Sequence, residues 1–240
     1  MRKRRYTSLE GTSPTLDGVP LPIVHNIVST AQIDSSLKQL DLERIRQLLP
    51  FSFYDRSKFA AITIRLSNPE CTTLLFSSGK LVVTGGRTWY ESVYSSLYVA
   101  RLLGECMPSE RFVLAQCAVQ NMVAHVELPV GPEGMLDIQA MYSRLGINCT
   151  YQKRMFPGLI YRPEASPVVL LCFYSGKIVI TGGKTLSDIY EGWKRLWPVV
   201  KGFIVDKRSS QDAGAHVSSH PGGKRRRGDT GEKKRQAQCA

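Results

Sequence analysis

The segment Phe76-Ser77-Ser78-Gly79-Lys80-Leu81-Val82-Val83-Thr84-Gly85-Gly86 recurs 97 positions later as Phe173-Tyr174-Ser175-Gly176-Lys177-Ile178-Val179-Ile180-Thr181-Gly182-Gly183. The same spacing relates Tyr54 to Tyr151, Phe59 to Phe156, Arg65 to Arg162, Leu74 to Leu171 and Thr88 to Thr185. Upstream the register slips and pairs Asp41 with Asp137 and Asn26 with Asn121, as loops of unequal length produce. Two copies are too few for a solenoid, whose core is built between several stacked neighbours. The chain is therefore expected to fold as a duplicated unit with an internal two-fold axis, suited to a ligand with approximate two-fold symmetry of its own.

Each copy opens with a short apolar strand, Ile23 to Thr30 and then Val119 to Glu127. A helical pattern follows, Asp41 to Leu49 and Asp137 to Leu145, with apolar residues at helical spacing. Strands are predicted over Phe59 to Leu66, Thr72 to Phe76 and Lys80 to Thr84, and in the second copy over Gly158 to Tyr161, Val168 to Phe173 and Lys177 to Thr181. A second helix closes each copy, Tyr90 to Leu103 and Ser187 to Trp197, while Gly85-Gly86 and Gly182-Gly183 read as turns. This order predicts an α+β fold, one antiparallel sheet with helices on one face.

Alternation within the strands carries the argument towards function. Side chains at i and i+2 share a face: Asn26 with Val28, Leu74 with Phe76 and Val82 with Thr84, repeated as Asn121/Val123, Leu171/Phe173 and Val179/Thr181. The opposite face, with Ile27, Leu75, Leu81 and Val83, is equally apolar. Helices covering one face only would leave the other bare, and a bare apolar face of that size marks a binding surface. Its few polar groups are Asn and Thr, with Arg65, Arg162, Lys80 and Lys177 nearby. That pattern suits a minor groove, where sugars are apolar and base-edge hydrogen bonding is sparse.

The chain has a formal charge of +12, and its distribution matters more than its sum. Residues 207–240 hold nine Lys/Arg against three acids and residues 1–20 four against two, leaving 19 basic and 15 acidic residues between them. The ends read as disordered basic segments, an arm over 1–20 and a tail over 207–240. The clusters Lys224-Arg225-Arg226-Arg227 and Lys233-Lys234-Arg235 suggest a nuclear-import signal or a phosphate-binding arm. No apolar run follows Arg2-Lys3-Arg4-Arg5 and no membrane span is evident, so a soluble, intracellular, nuclear protein is expected. Six cysteines without a C-x-x-C pair point to reduced, mostly buried thiols and away from zinc.

Catalysis finds no support in the pattern. Gly182-Gly183-Lys184-Thr185 imitates the end of a phosphate loop, but Ile178 stands where the first glycine belongs and the other copy has Arg87 in place of the lysine. His25, His125, His216 and His220 form no metal-ligand spacing, no nucleophile constellation recurs, and nothing resembles a base-flipping pocket. No enzyme activity, cofactor or metal is expected.

The duplicated segments resemble the core of the TATA-box-binding protein family. The resemblance is carried by His25-Asn26-Ile27-Val28-Ser29-Thr30, Lys58-Phe59-Ala60-Ala61, Phe76-Ser77-Ser78-Gly79-Lys80, Val119-Gln120-Asn121-Met122-Val123, Phe156-Pro157-Gly158-Leu159-Ile160-Tyr161-Arg162 and Phe173-Tyr174-Ser175-Gly176-Lys177. It runs from about Leu21 to Phe203 and implies repeats over 21–108 and 109–206, joined in a saddle-shaped pseudo-two-fold sheet with helices on the convex face. It implies a transcription initiation factor that bends double-stranded promoter DNA from the minor groove and nucleates preinitiation complex assembly.

In that resemblance Phe59 and Phe76 wedge between bases at one end, and Phe156 and Phe173 at the other. Asn26 and Asn121 address acceptors of the central A·T pairs, and Val28, Val82, Val123 and Val179 pack on base edges. Thr84 and Thr181 add hydrogen bonds, Leu74 and Leu171 support the wedges, and Arg65, Arg162, Lys80, Lys177, Ser78 and Ser175 meet phosphate. Two segments depart from the family pattern. The acidic stirrup used by factor IIB reads Tyr151-Gln152-Lys153-Arg154-Met155, and the basic convex helix used by factor IIA reads Ser95-Ser96-Leu97-Tyr98-Val99-Ala100-Arg101-Leu102-Leu103. IIA-like and IIB-like partners with altered contact surfaces are thus implied, as a divergent member would need. The rival reading is a saddle-shaped adaptor that works through protein contacts with relaxed DNA selectivity. The oligomeric state is left open.

Overall fold

A computed structural model describes residues 12–130 and 134–206. The basic clusters of the C-terminal tail and Arg2 to Arg5 lie outside the described residues. The elements in chain order are β1 (Thr15–Leu16), β2 (Val19–Pro20), β3 (Ile23–Ser35), α1 (Leu42–Leu48), β4 (Ser52–Phe53), β5 (Ala61–Arg65), β6 (Thr72–Phe76), β7 (Lys80–Gly86) and α2 (Trp89–Cys106). The second copy supplies β8 (Phe112–Glu127), β9 (Gly134–Leu136), α3 (Ile138–Leu145), β10 (Cys149–Thr150), β11 (Leu159–Tyr161), β12 (Val169–Cys172), β13 (Lys177–Thr181), α4 (Leu186–Lys201) and β14 (Ile204–Asp206).

Ten strands form one antiparallel sheet in the order β10-β11-β12-β13-β8-β3-β7-β6-β5-β4. The two longest strands, β3 and β8, pair at its centre from Ile23↔His125 to Ser35↔Phe112. Each then carries the other strands of its own repeat outward, which joins the halves into one sheet about a pseudo-two-fold. The curved sheet and its helices make the α+β saddle fold of two repeats that the sequence implies.

Alternation decides which face is filled. Ile27, Leu75, Leu81, Val83, Ala124, Val126, Leu170, Ile178 and Ile180 are buried under the helices. Their neighbours in the strands, on the other face, remain half-buried. Two separate cores result. One joins Ile62, Ile64, Leu75 and Leu81 to Val99 and Leu103 of α2; the other joins Leu170, Ile178 and Ile180 to Ile189, Trp193 and Leu196 of α4.

Several residues repeated in the sequence prove to be helix caps. The Asp41 and Asp137 carboxylates accept from Arg44 N at 3.1 Å and Ala140 N at 2.9 Å, and the Thr88 and Thr185 hydroxyls accept from Glu91 N at 3.2 Å and Asp188 N at 3.0 Å. Each cap satisfies a donor that the first helical turn leaves unpaired, worth about 1 kcal/mol. Asp188 completes a capping box, and backbone N–H donation from Lys184 and then Thr185 holds its carboxyl below the usual carboxylate range.

Some sequence expectations need correction. Residues 12–20, expected to belong to a disordered arm, contain a hairpin of β1 and β2 whose turn places Asp17 and Gly18 at φ 52° and 75°. Ser13 N donates to Glu127 O at 3.1 Å, and the Trp193 and Trp197 indole N–H groups donate to Pro20 O at 2.6 Å and Gly18 O at 3.1 Å. Two tryptophans of α4 thus order a segment whose own composition signals none. Phe59 precedes its strand, which begins at Ala61, because its N–H closes a turn onto Asp55 O at 2.9 Å. The central strands run further than expected, to Ser35 and from Phe112, because each has the other to pair with. The β9–β14 ribbon, with Ile204 opposite Leu136, was not legible in the sequence. Of the described cysteines, Cys71, Cys149 and Cys172 are buried and Cys106 and Cys117 half-buried, all as free thiols. Among the described residues no helix is long and apolar enough to cross a membrane.

Candidate nucleic-acid interface

The face away from the helices is floored by residues from the central strands outward. Val28, Val82, Val123, Val179, Leu74 and Leu171 all lie on it, half-buried, with Leu74 opposite Val82 and Leu171 opposite Val179. The groups expected to be site residues are therefore neighbours across strands, arranged twice.

Phe59 and Phe76 meet edge to face at a centroid distance of 5.9 Å and an interplanar angle of 68°. Phe156 and Phe173 repeat this at 5.7 Å and 68°. Within each pair one ring steadies the other, in an arrangement worth about 0.5–1.5 kcal/mol beyond burial. Phe59 nevertheless keeps 50% of its surface exposed, so a large apolar ring stands out at the end of the sheet. Both pairs depend on the turn before them. Asp55 O and Gln152 O accept the N–H groups of Phe59 and Phe156 at 2.9 and 3.0 Å.

Gly158 is a supporting residue that sequence reasoning missed. A Cβ there would come within 2.7 Å of Phe156 Cε1 and 3.0 Å of Phe173 Cε1, so the second ring pair rests against bare backbone. The repeat comparison carried the signal, since Ala61 stands at the matching position.

At the centre, Asn26 and Asn121 are held alike. Gly85 N donates to Asn26 Oδ1 at 2.8 Å and Gly182 N to Asn121 Oδ1 at 2.8 Å. The backbone at Gly85 and Gly182 reaches φ of 100° and 99°, a region favourable only to glycine. These glycines therefore shape strand ends that aim an N–H at the asparagine, where the sequence reading had placed simple turns. With Oδ1 accepting, the donors of each amide lie on Nδ2, the polarity that the acceptors of an A·T minor groove require; on Asn121, Nδ2 also donates to Thr181 Oγ1 at 3.1 Å. The Thr84 and Thr181 hydroxyls lie within 3.2 and 3.3 Å of the same Oδ1 atoms and so brace the amides.

The expected phosphate contacts lie at the margins. Arg65, Arg162, Lys80, Lys177, Ser78 and Ser175 are all exposed, the two serines in the hairpin turns. The lysines differ: Lys177 Nζ lies 4.0 Å from Glu127 Oε1, whereas Lys80 faces Gln32. Also on this face, the imidazoles of His25 and His125 meet with Nδ1 atoms 3.3 Å apart. Their separation of 100 residues hid this pair from a reading of sequence spacing. Among the described residues, no group of three or more His, Cys, Asp or Glu could hold a metal ion.

The exposed edges have their own character. On the stirrup, Gln152, Lys153, Arg154 and Met155 are all exposed. On α2, Tyr90, Tyr94, Leu97 and Tyr98 are exposed, with Tyr94 and Tyr98 stacked at 6.4 Å.

A duplicated antiparallel sheet, helices on one face and apolar on the other, with matched aromatic pairs at both ends and asparagine amides at its middle, defines the two-repeat α+β saddle class. The family model described as transcription factor TFIID, or TATA-binding protein, matches residues 22–106 and 116–203, and the chain belongs to this family. The family is one of DNA-binding transcription factors, not enzymes.

Among curated relatives, the TATA-box-binding protein of Caenorhabditis elegans is 37% identical over 199 residues, covering 82% of this chain and 55% of the relative. The human TATA box-binding protein-like 2 is 36% identical over 185 residues, covering 76% of this chain and 51% of the relative. The chain thus spans about half the length of these relatives. A solved structure of the TATA-binding protein of Methanococcus jannaschii superposes with a TM-score of 0.61 at 27% identity, covering 76% of this chain and 99% of that one.

Proposed function

We propose that this chain is a nuclear transcription initiation factor that binds A·T-rich promoter DNA from the minor groove, bends it by inserting two phenylalanine pairs, and seeds assembly of the preinitiation complex. The observation that carries the reading is the pair of near-identical aromatic edges, Phe59/Phe76 and Phe156/Phe173, at opposite ends of one uncovered apolar face. Between them Asn26 and Asn121 offer donors, and Val28, Val82, Val123 and Val179 offer a surface against which the exocyclic amino group of guanine would clash. Thr84 and Thr181 set the amides, Leu74 and Leu171 back the rings, and Arg65, Arg162, Lys80, Lys177, Ser78 and Ser175 meet phosphate.

Unstacking costs about a few kcal/mol per base step, a magnitude established for minor-groove binders of this family rather than obtained from this chain. The wider contact area of bent DNA offsets it. The partners are basal factors fitted to the altered stirrup and to α2. Permanganate reactivity and bending of a defined A·T-rich duplex test the reading directly. Bending and T reactivity at both ends of the site are expected with the native chain, and Phe156→Ala/Phe173→Ala should abolish both at the end that this ring pair serves. A duplex left straight and unreactive by the native chain would sink the proposal.

A second reading is an adaptor that works through protein contacts with relaxed DNA selectivity. It draws on the aromatic strip of α2, where Tyr90 is 83% exposed. It requires equal affinity for A·T-rich and G·C-rich duplexes, and partner assembly that survives the same double substitution.

A further inference from the structure

We propose that His25 and His125 form an additional contact for a phosphodiester oxygen on the concave face, one that takes up a proton as the duplex binds. The inference rests on the reading of this face as the duplex-binding surface.

The placement follows from register. His125 continues the line of Asn121 and Val123 on the bare face and stands opposite Ile23 on one side and Val179 on the other. His25 occupies the bulge between Val24 and Asn26, where the register of β3 shifts, and its ring tilts onto that of His125 at 5.2 Å between centroids. With Nδ1 atoms 3.3 Å apart, the pair can share one hydrogen, one nitrogen donating and the other accepting. Two protonated rings would set N–H groups head to head.

The surroundings oppose protonation of the free pair. Burial comes first and holds both imidazoles below their ordinary range. For His25 the facing His125, Lys177 of β13 and Arg87 beyond β7 act in the same direction, against a backbone hydrogen bond at Ile23. For His125 it is Lys177 that adds to burial, against Glu127 of its own strand. A phosphodiester anion placed against the rings reverses this balance, because it accepts from the N–H groups that otherwise confront each other.

The pseudo-two-fold supplies an internal control. The relation that takes Asn26 to Asn121 takes His25 to Gln120 and Thr30 to His125. On the matching edge Gln120 Nε2 donates to Thr30 Oγ1 at 2.7 Å. One edge of the saddle therefore carries a pair that titrates and the other a pair that does not.

The experiment compares the full native chain with a His25→Gln/His125→Thr double variant, which copies the pair already present on the opposite edge. Affinity for an A·T-rich duplex is measured from pH 8 to 5.5 at fixed salt, with calorimetry in two buffers of different ionisation enthalpy. Because binding raises the pKa of the pair, the gain is complete below the free-state pKa and lost as pH rises through the bound-state value, with a ceiling of about tenfold per pH unit for one proton. The native chain should gain roughly fivefold or more across this range and take up protons. The double variant should gain less than about twofold on acidification relative to its own affinity at pH 8. A flat native profile overturns the inference. So does a slope kept in the variant, which would assign the proton to other groups such as His216 or His220. Failure of both proteins to prefer or bend A·T-rich DNA at any pH removes the underlying reading, and the inference with it.

Discussion

The two halves of the molecule agree closely on the concave side and differ on the convex side. The ring pairs match within 0.2 Å in centroid distance, 5.9 against 5.7 Å, and the asparagine clamps are equal at 2.8 Å. On the other face, α2 buries Ser92, Ser95 and Ser96 against its sheet. At the matching positions α4 buries Ile189, Gly192 and Trp193, and the β1–β2 hairpin is bonded to its tryptophans. A duplex bound as proposed would constrain both concave halves alike, whereas each convex half needs only to fill its own volume.

The small side chains of α2 leave hydroxyls to satisfy. Ser95 and Ser96 return their hydrogens to Glu91 O and Ser92 O at 2.7 and 2.9 Å, a local solution open to serine on a helix. The hydroxyls of Ser29 and Ser92 find no partner among the described residues. The first half is therefore polar where the second is apolar, and the second should be the more stable.

The comparison can be broken most decisively through the core. Trp193→Ala removes a fully buried ring and its bond to Pro20, and should cost about 3–5 kcal/mol in urea unfolding. An effect below about 1 kcal/mol would show that α4 is not the anchor of its half. Next come the rings. Phe59→Ala/Phe76→Ala and Phe156→Ala/Phe173→Ala should each weaken duplex binding by about 2–4 kcal/mol, given the worth of base–aromatic stacking, and each should abolish bending at its own end only. Markedly unequal losses would mean that the two edges are not functionally equivalent.

Smaller effects sharpen the central symmetry. Asn26→Asp and Asn121→Asp keep the shape but replace donors with an acceptor-only carboxylate, and each should cost about 1–3 kcal/mol in A·T-rich binding measured by titration. Smallest of all, Ser92→Ala deletes an unpaired buried hydroxyl and should leave thermal stability unchanged or raise it by up to about 1 kcal/mol. A clear loss there would reveal a partner for that hydroxyl.

Much of the site was readable before any tertiary information, for a definite reason. Strand alternation is a two-residue property, so Leu74/Phe76 and Val82/Thr84 could be assigned to one face from neighbours alone. Matching repeats then separated the four phenylalanines from ordinary core residues. The same comparison set Gly158 against Ala61, but that this bare backbone lies beneath two rings is decided only in the folded sheet. It also misjudged Gly85 and Gly182, whose amides act on asparagines 59 and 61 residues away. Residues 15–20 were assigned to a disordered arm because the tryptophans that order them lie 173 and 179 positions further on.

The linear chain by itself determined that this protein is a duplicated α+β unit, which face of each strand is apolar, and where the aromatic quartet falls, since each of these is written in short periods or in direct self-similarity. Tertiary structure alone decided the polarity of the asparagine amides, the meeting of His25 with His125 and the docking of the first hairpin. Those outcomes depend on cross-strand register and on hydrogen bonds between distant segments, and a distance between two groups exists only once the backbone that separates them has folded.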